Sequence, residues 1–303
     1  MNRRNFIRNM SLSAVSLSLS DIVISSSKEK VEKKKKFFVG AHVWVYAASQ
    51  PGYDVSPVLS QIFADMAYAG FDGVETMEQP LRSPVYTKQI KELIEKYKIK
   101  LLGSSFGGEM WDKNKHNQIL EDTDQILTNM ASVGGRTFGV SVGKPSGRIK
   151  TEEELDNQAD LLKKIISLCE KKGIVLNLHN HTYEVENNMY DLRGTLKRIP
   201  DVCLGPDLNW LLRGGVDPLT FMREFKKQIV FLHLRDQLSN GKWPESLGEG
   251  DVNFREIAEV MDETGFQGDV VIELAHENGF TRTRPLKESL KMSRAYLKKT
   301  MNI

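Results

Sequence analysis

From Phe37 onward the chain alternates short apolar runs with longer amphipathic stretches, and this repeat constrains the fold more than any other feature. Runs beginning near Phe37 (FFVGAHVW), Phe71 (FDGVET), Ile99 (IKLLGSS), Thr137 (TFGVSV), Gly173 (GIVLNLHNH), Val202 (VCLGPDL), Ile229 (IVFLHLRD) and Asp269 (DVVIELAHE) read as eight strands. Apolar runs separated by helical patterns favour a parallel sheet with crossover helices. The helix starts carry capping signals: Ser56 before Pro57, Thr151 with Glu154, Asp217 before Pro218, and Asn253 with Glu256. Between Thr151 and Lys172, Leu155, Leu161, Leu162, Ile165, Ile166 and Cys169 share one helical face, as a helix packed on a barrel requires. The expected fold class is α/β, a single (β/α)₈ TIM barrel over residues 37–303. An open doubly wound sheet is the alternative, but it needs a glycine-rich dinucleotide loop that does not follow the first strand.

Composition narrows the class without deciding it. At 303 residues, 40% apolar and 27% charged, the chain is neither disordered, collagenous nor a coiled coil. The formal charge of +2 hides an asymmetry. Residues 1–36 hold nine Lys and Arg against three Asp and Glu, so the remainder carries −4. Such a body has no global attraction for nucleic acid or anionic lipid. Cys169 and Cys203 are expected as buried thiols of a helix and a strand.

The opening MNRRNFIRNMSLSAVSLSLSDIVI places paired arginines before a mildly apolar, Ser-rich stretch. That order resembles a bacterial twin-arginine export signal. The expectation is an exported, periplasmic protein with a leader and charged linker over 1–36. A cytoplasmic protein with a disordered tail is the alternative. No A-x-A cleavage site follows, and the apolar part is too short to span a bilayer, leaving no membrane role after export.

In a barrel of this kind the site lies at the C-terminal ends of the strands. His42, His179, His181, His233 and His276 fall there, joined by Glu75, Asp207 and Glu273; His116 lies in a connection. Every second residue of a barrel strand points inward, so His179, Asp207, His233 and Glu273, from four successive strands, can converge on one axial point. Two imidazoles and two carboxylates suit a divalent ion, Mn²⁺, Zn²⁺ or Co²⁺ more readily than Mg²⁺. A single strand-end histidine is more often structural. Glu273 inside VVIELA is harder to dismiss, because an unpaired carboxylate in an apolar strand is costly.

These residues carry a resemblance. The chain resembles the xylose isomerase-like TIM barrel superfamily of sugar and sugar-phosphate isomerases and epimerases from Phe37 to about Lys299. The matching pieces are GFDGVE (70–75), LHNHTYE (178–184), DLNWLLRGGVDP (207–218), FLHLRD (231–236), LGEGDVNF (247–254) and VIELAHE (271–277). The resemblance implies His179, Asp207, His233 and Glu273 as ligands of one divalent metal ion. Many members place a carboxylate at the strand-five position and pair it with the strand-eight carboxylate for acid and base work. Here that position is His179, which does not supply the second carboxylate of a symmetric two-carboxylate mechanism.

The implied activity is a metal-dependent sugar isomerase or epimerase that abstracts a proton beside a carbonyl through a metal-stabilised enediolate. A lyase acting on 3-keto-glycosides by β-elimination of the aglycone is the first alternative, and a non-catalytic carbohydrate-binding barrel the second. An apurinic endonuclease is disfavoured by the charge of the body. Glu273 is the candidate base and His181 or Glu184 the partner acid. His42, Trp44, Glu75, Trp111, Trp210 and Arg235 are candidates for substrate contact, with Arg213 beside them; core packing competes for each tryptophan. Arg235 and Asp236 are expected to form a structural ion pair. The turn Gly248–Asp251 has no phosphate-loop pattern, so the expected partner is a free sugar or glycoside. Homo-oligomers occur among relatives, but no apolar stripe in the sequence argues for one.

Overall fold

The computed structural model describes residues 37–303. The export leader and charged linker expected over 1–36 lie outside the described residues. Among the described residues seven strands, β1 (Val39–His42), β2 (Gly73–Met77), β3 (Lys100–Gly107), β4 (Thr137–Ser141), β5 (Val175–Leu178), β6 (Phe231–Leu234) and β7 (Asp269–Ile272), form one parallel sheet. Their order is β5-β4-β3-β2-β1-β7-β6, so each strand from β1 to β5 lies beside the next in sequence.

The gap between β5 and β6 is filled by the run that sequence reasoning expected as a sixth strand. It is a stave held by parallel bridges, Leu178 to Leu204, Leu204 to Ile229 and Asp207 to His233, instead of a regular ladder. Pro206 has no N–H to donate and Gly205 has no side chain to pack, which breaks the pairing. The N–H groups of Leu204 and Gly205 still reach Gln228 O and Leu178 O, each at 2.9 Å, and the barrel is nearly closed.

Among the described residues ten α-helices connect and cover the staves: α1 (Trp44–Ala47), α2 (Leu59–Ala69), α3 (Pro84–Tyr97), α4 (His116–Ser132), α5 (Glu152–Lys171), α6 (Thr182–Arg198, interrupted at 186–189), α7 (Leu208–Arg213), α8 (Pro218–Glu224), α9 (Phe254–Thr264) and α10 (Leu286–Thr300). Three of the four expected caps are present. Thr151 and Glu154 form a reciprocal capping box on α5, Asp217 accepts from Thr220 N–H, and Asn253 accepts from Arg255 and Glu256 N–H. Ser56 is the exception: it donates to Asp54, whose side chain secures a short 3₁₀ turn, and α2 begins only at Leu59. Helix α9 shows why these segments pack. Phe254, Ile257, Val260 and Met261 recur at helical spacing and are buried, and Gly265, at φ +67°, ends the helix. Cys169 is buried as expected, whereas Cys203, on the irregular stave, is only half-buried.

The main apolar core lies between staves and helices, while inside the barrel Leu102, Phe231 and Val271 form a small separate plug with Phe38 and Val230 packed against it. Inward-facing glycines make room for it: a Cβ on Gly40 would stand 2.5 Å from Leu102 Cδ1, and one on Gly73 2.6 Å from Leu102 Cγ. Gly205 serves the next layer. A methyl there would overlap the Asn177 amide, standing 2.7 Å from its Cγ and 3.3 Å from Phe231 Cβ. Gly205→Ala is therefore expected to cost about 1–3 kcal/mol through overpacking, read as a lower denaturant midpoint with unchanged slope. An unchanged midpoint would show that the axis tolerates the extra methyl.

Candidate metal centre and substrate chamber

Above the apolar plug the staves end in polar side chains. His179 follows β5, Asp207 ends the irregular stave, His233 lies in β6 and Glu273 follows β7. One donor atom from each of His179, Asp207 and Glu273 lies within 4.8 Å of the others, and all three residues are buried. This group is suited to a divalent metal ion. His233 lies beside it, its Nδ1 3.1 Å from His179 Nδ1.

Each member is held by its neighbours. Asp207 caps α7, its Oδ1 accepting N–H bonds from Asn209 (2.8 Å) and Trp210 (3.0 Å). His233 Nε2 stands 2.5 Å from Glu75 Oε2, across the barrel. With Nε2–H donated to that carboxylate, Nδ1 is left as a lone pair turned toward His179. Two ring nitrogens at 3.1 Å with no carboxylate between them fit a shared cation, or one hydrogen bond if His179 keeps its Nδ1 proton. Arg235 sets the charge balance: its Nη2 lies 2.7 Å from Glu273 Oε1 and 3.1 Å from Asp207 Oδ2. Three buried carboxylates, Glu75, Asp207 and Glu273, thus face one guanidinium, and a divalent ion with neutral imidazoles makes the cluster neutral.

The electrostatics set the two rings apart: His179 is neutral and ready to ligate, whereas His233, protonated beside Glu75, has to release its Nδ1 proton to an incoming ion. Burial drives the His179 ring well below its usual value, helped by His233 and His181, so it is neutral. Burial also opposes charge on His233, but the Glu75 carboxylate overrides it and holds the ring at about 9. Burial would raise Glu273, yet Arg235, then His42 and His233, keep it ionised far below the carboxylate range. Burial pushes Asp207 upward despite Arg235.

The group opens into a chamber of about 600 Å³, a size typical of small-molecule sites. His42, Trp44, His181, Trp210 and Arg235 line it, as expected. His42 is fixed in one tautomer, Nδ1 accepting the Trp44 N–H (3.0 Å) while Nε2 donates to Ser105 (2.9 Å). The His181 side chain is 40% exposed, its Nδ1 2.9 Å from Ser141 Oγ, and burial in its surroundings pushes it down to about 4.

Other expected residues lie elsewhere. Glu75 is beneath the chamber, bound to His233. Glu184 is also off its wall: Ser141 Oγ donates to Oε1 (2.6 Å) and His181 N–H to Oε2 (2.7 Å), and burial raises the acid to about 7. Trp111 does not line the chamber either, sitting beside Arg148 with its ring centroid 5.9 Å from the guanidinium. Arg235 does not pair with Asp236. That aspartate accepts N–H bonds from Gly248, Gly250 and Val252, which explains why the glycine-rich turn is closed to phosphate.

Sequence reasoning missed several chamber residues, among them Tyr53, Gln79, Ser141 and Trp243. Trp243 sits in a Gly- and Pro-containing loop with no periodicity; its Nε1 donates to Asn209 (2.8 Å) and its ring carries the Arg213 guanidinium at 3.8 Å.

Comparison with known proteins agrees with the fold. The model of a family described as xylose isomerase-like TIM barrel matches residues 63–296. An inosose dehydratase of Clostridium perfringens is 23% identical, covering 80% of this chain and 90% of that protein. Among solved structures, a D-allulose 3-epimerase of Methylomonas sp. in complex with D-allulose superposes with a TM-score of 0.70 at 15% identity, over 87% of this chain and 97% of that one. A 3-keto-D-glucoside 4-epimerase of E. coli gives 0.64 at 17% identity, over 87% and 99%.

Proposed function

Because the chain belongs to the xylose isomerase-like TIM barrel family, we propose that it is a metal-dependent enzyme that isomerises or epimerises a sugar by moving a proton on the carbon beside a carbonyl. The observation that carries this is the buried group of His179, Asp207 and Glu273 at the floor of a sugar-sized chamber. His233, oriented by Glu75, is the proposed fourth ligand. A divalent ion bound there would polarise the substrate carbonyl and so acidify the neighbouring C–H bond.

The protein's own groups do the rest. Glu273, ionised and facing the chamber, takes the proton from the substrate carbon. His181 is the proposed second proton carrier. With Glu184 ionised, Ser141 donates its one hydroxyl proton to that carboxylate and accepts from His181 Nδ1–H and Tyr183 O–H. The free lone pair of His181 is then Nε2, and Glu184 acts by positioning it. Arg235 is the only Lys or Arg among the residues lining the chamber, and two carboxylates already hold it. A neutral sugar fits such a site better than a sugar phosphate.

One observation favours a second reading, β-elimination from a 3-keto-glycoside. Where many members place an acid and base carboxylate, this chain has the neutral His179, and elimination needs no second carboxylate to return a proton stereospecifically. The curated relative named above is itself called a dehydratase. Manganese-loaded protein incubated in D₂O with D-fructose and, separately, with phenyl 3-keto-β-D-glucoside separates the two. Deuterium uptake without cleavage supports the isomerase or epimerase, and released phenol the lyase; binding with neither would leave a carbohydrate-binding barrel.

Glu75 supplies a further check. Glu75→Gln removes the charge behind His233 and is expected to weaken Mn²⁺ binding by about 10–100-fold, measured by chelator competition. Unchanged affinity would remove His233 from the ligand set.

We propose that the leader expected over 1–36 exports the protein to the periplasm; a fusion of residues 1–36 to a reporter whose export depends on the twin-arginine route tests this.

A further inference from the structure

The chamber extends past the volume that a single ring at the metal group would occupy, and its outer wall has a construction of its own. Trp44 and Tyr53 stack there with ring centroids 5.3 Å apart and planes 28° from parallel. Tyr53 is 52% exposed, although the pair lines the same chamber as His179 and Glu273. A half-exposed aromatic stack at the mouth of a polar cavity leaves apolar ring surface in water.

The backbone beneath it is unusual. Gly52 and Tyr53 both take left-handed conformations, at φ +62° and +58°. For a bulky aromatic residue that geometry costs about 1–2 kcal/mol and is retained where surrounding structure enforces it. Here it presents the Tyr53 ring to Trp44. The pair is also tied to the reaction centre: Trp44 N–H donates to His42 Nδ1, and that nitrogen lies 3.8 Å from Glu273 Oε1.

Two polar atoms in the chamber lining are buried without partners, Gln79 Oε1 and His276 Nε2. Charge limits the ligand further: Glu78, Glu273 and Glu277 line the chamber, Arg235 is the one Lys or Arg among the lining residues, and Arg82 and Arg213 behind the wall are taken up by Glu78 and Glu277. An anionic group on the outer part of the substrate would meet carboxylates without a free cation.

We propose that this outer wall is a second subsite, which takes the neutral ring attached to the sugar held at the metal group, so that the substrate is a glycoside whose metal-held sugar carries a keto group, and not a free monosaccharide. The inference rests on the reading that a sugar occupies the metal group. The shared chemistry is a flat ring with an apolar face, whether an aryl aglycone or the face of a second sugar.

Calorimetric titration of the manganese-loaded protein with methyl β-D-glucoside, phenyl β-D-glucoside and cellobiose tests it. At least one two-ring ligand is expected to bind about tenfold more tightly than the methyl glycoside; phenyl glucoside alone identifies an aryl aglycone, and cellobiose a second sugar. Tyr53→Ala is expected to bring the ratio of two-ring to methyl affinity close to one, and Tyr53→Phe to keep it. Equal affinity for all three, including none measurable, overturns the proposal, as does a Tyr53→Ala protein with the ratio intact. Failure of the metal reading has a different signature: a two-ring ligand would still bind more tightly than the methyl glycoside, with affinities unchanged by chelator.

Discussion

Replacing Glu273 with Gln is expected to slow deuterium exchange into substrate by about 10³-fold while the fold survives. The carboxylate is ionised, faces the chamber, and is both a member of the metal group and the proposed base. Gln keeps the volume and loses the charge, so proton removal and metal binding both weaken. Folding depends little on this side chain, because the apolar core lies between staves and helices and Arg235 keeps Asp207 as a partner. Exchange is read by NMR in D₂O and folding by the thermal midpoint. Exchange within a few-fold of the parent would remove Glu273 from the chemistry.

The second large effect has the opposite sign. Arg235→Met is expected to tighten Mn²⁺ binding by at least about tenfold. Its guanidinium contacts Glu273 and Asp207, the two carboxylates of the metal group, and is itself buried. At an effective dielectric near 20, a unit charge and a divalent ion about 5 Å apart repel by several kcal/mol, and the methionine keeps an apolar stem against Trp210 and Trp243. Chelator competition measures the change. Weaker binding would show that Arg235 positions the carboxylates for the ion more than it competes with it.

The barrel was legible because each stave is a short apolar run and the helices between them carry their own caps. Strand phase also picked out His179, Asp207, His233 and Glu273, since inward positions at strand ends are few. The failures share a cause: sequence places a residue on a stave but not its partner across the barrel. Glu75 meets His233, 158 positions away, and so lies under the chamber instead of on its wall. Glu184 reads as a candidate acid, but it bonds the His181 N–H three residues back and lies behind the ring. Arg235 turns to the stave-end carboxylates because Asp236 is consumed by the N–H groups of the following turn. Trp243 had no signal at all, because loop position carries no periodicity and only the fold brings it over Arg213.

The central claim is that this chain binds one divalent ion through His179, Asp207, His233 and Glu273. Titration with Mn²⁺ followed by pulsed EPR addresses it without needing the substrate. The account predicts one ion per chain with nitrogen couplings from two imidazoles, falling to one in His233→Ala and to no bound ion in Asp207→Asn/Glu273→Gln. Binding without imidazole nitrogen, or binding undiminished in the double variant, would contradict it.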